Sequence, residues 1–323
     1  MSFVDPPPLP DDLVQVIEAI GVLPNLRKLA FKGERKNWWK AWEGKGKKKD
    51  LTDLRMILIQ AHHLEVLAIP QVSFDSINTY HLLNSLKQVK RLKGELRAPP
   101  GDSTPLLDLG LTHLDVSAHG SPRDLDFYIT PCLLPLRYLH LHFDGSVPLI
   151  PLVSLSNLNH LVTTIEPDLR ASNRFSSDSF LSTLESCQNL PKLSSLTLNI
   201  TNMKAYVAIM FISQLVKAGL PRTIETFAVG PRASWYFQCG RTFLGSARER
   251  YPRLMTIGLG GARMEGMEND TDRNRAMFQT SDVVGVYGIQ VNWMEQMEWE
   301  GWLDEGFYGE CRSYDEQTVA RKI

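Results

Sequence analysis

The sequence predicts an α/β fold: an irregular solenoid, or horseshoe, with a parallel inner sheet, outer helices and a C-terminal cap. Three observations lead there. A short leucine phrase recurs nine times, helix-like segments separate several of its copies, and the last stretch of chain abandons the repeat for acidic and aromatic residues.

The phrase consists of a leucine or equivalent, two variable residues, a second leucine, one more residue and an apolar residue. Its copies begin at Leu26, Leu64, Val89, Leu111, Leu136, Leu158, Leu193, Ile224 and Leu254. The second apolar positions are Leu29, Leu67, Leu92, Leu114, Leu139, Leu161, Leu196, Phe227 and Ile257. Leu26 and Leu254 lie 228 residues apart, a mean spacing of 28.5 residues over eight intervals. Within each copy the apolar residues alternate as they do along a short strand. Such a strand with one helix cannot bury its own apolar face, but stacked copies form a continuous core in which each copy rests on its neighbours. The spacing is that of leucine-rich repeats of the longer kind, about 20–29 residues each, with insertions.

Helical spacing of apolar residues predicts helices over Ser76–Val89, Ser179–Cys187, Ala205–Ala218 and Thr242–Arg250. Asp178 and Ser179 are N-cap residues ahead of Phe180, Leu181 and Leu184, and Gly219 with Pro221 forms a stop signal after Lys217.

The phrases LPNLRKL (23–29), LPLRYLHL (134–141), LSNLNHL (155–161) and LPKLSSLTL (190–198) resemble the repeats of fungal F-box-type leucine-rich-repeat proteins, over roughly residues 10–260. The resemblance implies a substrate-recognition subunit of a cullin-type ubiquitin ligase, docked on the ligase adaptor through an N-terminal F-box. Leu9-Pro10-Asp11-Asp12-Leu13-Val14-Gln15-Val16-Ile17 is similar to the opening of an F-box, but the first repeat begins at Leu26, too soon for a complete one. The ninth position of each phrase is Glu34, Asp144, Glu166 or Thr201, where the family often has Asn or Cys.

The 323 residues exceed what one compact core usually serves, and an apolar content of 43% with 22% charged residues belongs to a folded chain rather than a disordered one. The expected division is a solenoid over 1–261, with a basic insertion near 32–50, and an acidic aromatic cap or tail over 262–323. Residues 1–98 hold 16 Lys and Arg against 11 Asp and Glu, whereas residues 265–323 hold 5 against 13. The opening MSFVDPPPLPDDL lacks the pattern of a signal peptide, and no window is apolar enough to span a bilayer. Cys132, Cys187, Cys239 and Cys311 form no CxxC pair, so a reducing location, cytoplasmic or nuclear, is expected, with no membrane association.

In a strand copy, positions three, five and seven point away from the face that buries positions four and six. Those spare positions form the predicted concave recognition face, and its anchors are Arg91, His113, Asp115, Tyr138, His140, His142 and His160. His113, Asp115 and His140 also admit a metal-dependent or hydrolytic alternative, since imidazoles beside a carboxylate suit both chemistries. Against it, no HExxH or GxSxG occurs. Gly44-Lys45-Gly46-Lys47 has Lys48 where a phosphate loop needs a hydroxyl residue, and Gly258-Leu259-Gly260-Gly261 lacks the third glycine of a dinucleotide fingerprint. Trp38, Trp39, Trp42, Lys47 and Lys48 form a basic-aromatic loop of the kind that grips phosphates or acidic peptides, although a nearly neutral chain argues against a dedicated nucleic-acid protein. The expected function is thus non-catalytic: a monomeric scaffold, without cofactor or metal, that binds a protein or peptide.

Overall fold

The computed structural model describes residues 2–3, 23, 25–31, 61, 63–74, 83–96, 109–116, 129, 134–143, 155–165, 188–200, 219–230, 250–260, 288–294, 298–304 and 306–308. The basic insertion with Trp38, Trp39, Trp42, Lys47 and Lys48, the phrase over 9–17, the four cysteines and the predicted helices over 179–187 and 205–218 lie outside these residues. Of the helix predicted over 76–89, residues 83–85 are helical and the chain turns over 86–90, one phrase ahead of the next strand. Of the helix predicted over 242–250, Arg250 is described, and it is helical.

The chain divides into two compact units, Met1–Leu136 and Arg137–Ile323, so the boundary expected at 261 falls inside the second. In the first unit, β1 (Ser2–Phe3), β2 (Lys28–Phe31), β3 (Val66–Phe74), β4 (Arg91–Leu96) and β5 (His113–Val116) pair in parallel in chain order. In the second, β6 (Tyr138–Phe143), β7 (His160–Ile165), β8 (Ser195–Ile200), β9 (Thr226–Gly230), β10 (Thr256–Gly260) and β11 (Gln290–Met294) do the same. Parallel neighbours need a long return path between strands, which the spacing of the phrases supplies.

Register follows the leucines. Leu29, Leu67, Leu92 and Leu114 are successive partners in the first unit; Leu139, Leu161, Leu196, Phe227 and Ile257 are successive partners in the second. All nine are at most 2% exposed, so each unit carries an unbroken apolar column. Burying such a side chain contributes about 1.5–3 kcal/mol, and a slip by one residue would turn the whole column outward.

The backbone repeats as regularly as the side chains. The carbonyl of the phrase's second residue accepts two N–H groups from the next copy: Arg27 O from Glu65 and Val66, Glu65 O from Lys90 and Arg91, and Asn159 O from Ser194 and Ser195. Ahead of the strand, a tight turn closes with the N–H of the first leucine on the carbonyl three residues back, as in Leu64 to Ala61, Leu158 to Leu155 and Leu254 to Tyr251. In the last of these, Pro252 occupies the turn position that its fixed φ suits. Gly219 takes the left-handed conformation, φ 88°, and the helix predicted ahead of it lies outside the described residues.

The C-terminal part departs from expectation. Strand composition points to 283–291, but the strand is β11, which begins at Gln290 and continues the register of β10, with Val291 beside Ile257. Trp293 therefore belongs to the strand, and residues 283–287 lie outside the described set. The missing signal has a simple origin: Gly288, at φ 67°, stands where the other copies have their first leucine. Among the described residues, no helix is long and apolar enough to cross a membrane.

Candidate functional site

The spare positions of the second unit form three columns across β6–β11. Tyr138, His160 and Ser195 open the first; His140, Val162, Thr197, Ala228 and Gly258 lie along the second; His142, Thr164, Asn199, Gly230, Gly260 and Met294 make up the third. In the second and third columns, side chains thus shrink from imidazole at β6 to Ala228 and Gly230 at β9 and Gly258 and Gly260 at β10. The face is floored by polar groups on one side and by bare backbone on the other.

Residues 298–304 and 306–308 are helical and lie across this face. Trp299 is 1% exposed and packs with Ala228 and Met294, with Trp302 and Leu303 against the same cluster. Its indole fills the space the glycines leave: a Cβ on Gly260 would stand 1.9 Å from Trp299 Cε3, and one on Gly230 would stand 2.7 Å from Trp299 Cε2. Gly258 is crowded instead by Ala228 and Met294, each 2.9 Å from where a Cβ would stand, with Trp302 in ordinary contact at 3.5 Å. Bulkier residues at positions 230 and 260 would exclude the Trp299 ring.

Hydrogen bonds fix the segment's register. The Trp299 indole N–H donates to Asn199 Oδ1 at 3.1 Å, and the Trp302 indole N–H donates to Thr197 Oγ1 at 3.4 Å. Asn199 in turn donates from Nδ2 to Thr164 Oγ1 at 3.0 Å, and Thr164 Oγ1 lies 2.8 Å from His140 Nε2. Donation to Thr164 and acceptance from Trp299 use both ends of the Asn199 amide, which fixes its orientation. His140 is buried and serves as the inner end of this relay.

At β6 the same segment closes over Tyr138. The phenol donates to the Leu303 carbonyl at 3.3 Å, Phe307 meets the Tyr138 ring edge-on at 5.8 Å between centroids, and Tyr308 packs edge-on against Phe307 at 4.9 Å. Gly306 permits the approach, since a Cβ there would stand 2.7 Å from Tyr138 Cε2. Tyr138 is consequently 0% exposed. Of the expected anchors, Tyr138 lies under the chain's own aromatic segment and His140 is buried in the same strand. His160 remains half-buried beside Tyr138, and His142 lies in β6.

Arg91, His113 and Asp115 belong to the first unit, where Arg91 is the register partner of His113 and Lys93 that of Asp115. Lys93 Nζ lies 3.0 Å from Asp115 Oδ2, whose side chain is 4% exposed, so this carboxylate is a paired, buried charge. His113 Nδ1 lies 2.9 Å from Thr112 Oγ1. Arg91 and His113 are buried as well, so this group too is enclosed rather than open. Among the described residues, no group of three or more His, Cys, Asp or Glu side chains is placed to hold a metal ion.

Sequence reasoning named the aromatics of the C-terminal stretch but not their seat. The signal was present in Gly258 and Gly260, which fall at positions five and seven of the last phrase and so opposite its apolar column. No known protein family matches the chain, and no curated protein does so either.

Proposed function

We propose that this chain is a non-catalytic leucine-rich-repeat protein, a solenoid of stacked strand units that binds a protein or peptide through its sheet face. In-register leucine phrases with a regular spacing support the repeat class. One observation carries the recognition reading: the face of the second unit already holds a polypeptide segment by two indole N–H bonds, to Asn199 and Thr197, and by the Tyr138 bond to the Leu303 carbonyl. Buried aromatic anchors flanked by directed hydrogen bonds are the means by which protein interfaces gain affinity.

The test places a photo-crosslinking residue at His160, on the face, and separately at Arg253, exposed in the turn before β10. The full chain is then irradiated in its native cell. Covalent adducts with another polypeptide formed from position 160 and not from 253 are the expected result. Equal adducts from both positions, or adducts from 253 alone, reject the recognition face.

The similarity of Leu9–Ile17 to the opening of an F-box favours a second reading, in which the same scaffold serves as a ubiquitin-ligase substrate receptor. Co-purification of the cullin-ligase adaptor with the full chain, lost on Leu13→Asp, supports it, and co-purification unaffected by that substitution rejects it.

A further inference from the structure

Resting on that recognition reading, we propose that the helical segment bearing Trp299, Trp302 and Phe307 is a releasable ligand of its own sheet face. The outside partner is then a protein presenting an amphipathic helix of the same chemistry: two indoles one turn apart, and a further aromatic about two turns from the first.

The segment shows what the face accepts. Trp299, Trp302 and Phe307 recur at the i, i+3, i+8 spacing that places side chains on one side of a helix. That side supplies the contacts to Asn199, Thr197 and Tyr138. The other side is open: Glu298 and Glu300 are exposed, and a Cβ on Gly301 would have nothing within 4 Å. A helix that lays one stripe of side chains on a sheet face and keeps exposed residues on its other side makes the contacts that a helix-in-groove ligand makes.

The receptor side is built from the strands alone. Gly230 and Gly260 form the slot for the Trp299 indole, and the His140–Thr164–Asn199 relay places the Oδ1 acceptor for an indole N–H. The backbones that carry these groups do not depend on the segment for their place in the ladder, because β6 to β10 pair with one another. The link is short: β11 ends at Met294, and the helix is under way by Glu298. A tether of this kind holds a ligand at an effective concentration of about millimolar, so the cis segment excludes weak competitors and yields to a partner whose helix fits better.

The test uses the full chain, its W299A/W302A variant, and a labelled synthetic peptide of residues 296–310 followed by fluorescence anisotropy. The variant is expected to bind the peptide at least ten-fold more tightly than the wild type, and Gly260→Ala added to it is expected to weaken binding at least ten-fold by filling the slot. A folded variant that binds no better than the wild type overturns the proposal. Hydrogen exchange on the unaltered chain gives an independent reading. Amides of 298–304 exchanging at least ten-fold faster than those of β7–β9 support release, and exchange at the same rate overturns it. A dimer formed on mixing wild type with the variant would assign the seat to a second copy and overturn the outside helix. Failure of these measurements leaves the crosslinks from position 160 untouched, whereas failure of the recognition reading appears in those crosslinks.

Discussion

The indole N–H of Trp299 donates to Oδ1 of Asn199 at 3.1 Å, joining positions 100 residues apart. That single bond links the aromatic terminal stretch to the middle of the leucine repeat. It also explains why an asparagine in a spare strand position carries weight: Asn199 serves Trp299 with its oxygen and Thr164 with its nitrogen.

Replacing Asn199 by Ala is therefore expected to leave a buried indole donor without its acceptor. The loss is about 1–3 kcal/mol, together with a red-shifted tryptophan emission as Trp299 gains access to water. Urea titration followed by fluorescence checks both, and an unchanged midpoint and spectrum would remove Asn199 from the account.

Three glycines are expected to respond differently to the same methyl group. Gly260→Ala meets the Trp299 ring and costs about 1–3 kcal/mol. Gly288→Ala has open space but a φ of 67°, so it costs about 1 kcal/mol through the backbone alone. Gly301→Ala is helical with nothing within 4 Å and is expected to stabilise by about 0.5–1 kcal/mol. Thermal melts of the three variants test the ordering, and a stabilising Gly260→Ala would show that the indole does not sit where the contact places it.

Tyr138 separates packing from hydrogen bonding. Tyr138→Phe removes a 3.3 Å bond to the Leu303 carbonyl and is expected to cost about 0.5–1.5 kcal/mol. Tyr138→Ala also empties the space against Phe307 and is expected to cost about 3–5 kcal/mol. Equal effects of the two substitutions, measured by denaturant titration, would mean that the ring contributes little.

Two ion pairs in the first unit should differ by their burial. Lys93→Met removes this partner from the Asp115 carboxylate, of which 4% is exposed, and is expected to cost about 1–3 kcal/mol. Arg27 and Glu65 lie 3.6 Å apart with side chains 70% and 53% exposed, so Arg27→Met is expected to change stability by less than about 0.5 kcal/mol. Raising the salt concentration should narrow the gap little, because the Asp115 pair is shielded from mobile ions.

The positions of β2 to β10 were legible in the leucine phrases because a two-residue alternation with a conspicuous first leucine marks a buried strand directly. β11 was not, since Gly288 replaces that leucine and its backbone turns at positive φ. The two-residue β1 offers no pattern of its own; it exists as a partner of Ala30 and Phe31. The site divides the same way. The spare columns with Tyr138, His140 and Asn199 follow from alternation, and the smallness of Gly258 and Gly260 was visible. That these fit Trp302 and Trp299 was not.

By itself, the sequence determined which residues form β2 to β10 and which side chains each of them turns inward, because burial of Leu29, Leu67, Leu139 and Leu196 follows from local periodicity. Tertiary structure decided what lies over the opposite face of the second unit, since a contact between Trp299 and Gly260 depends on the path of the chain after β11 and leaves no periodic trace in either segment. Alternation is a short-range property of the backbone, whereas the fit of a ring over a glycine is a match of shapes between distant segments.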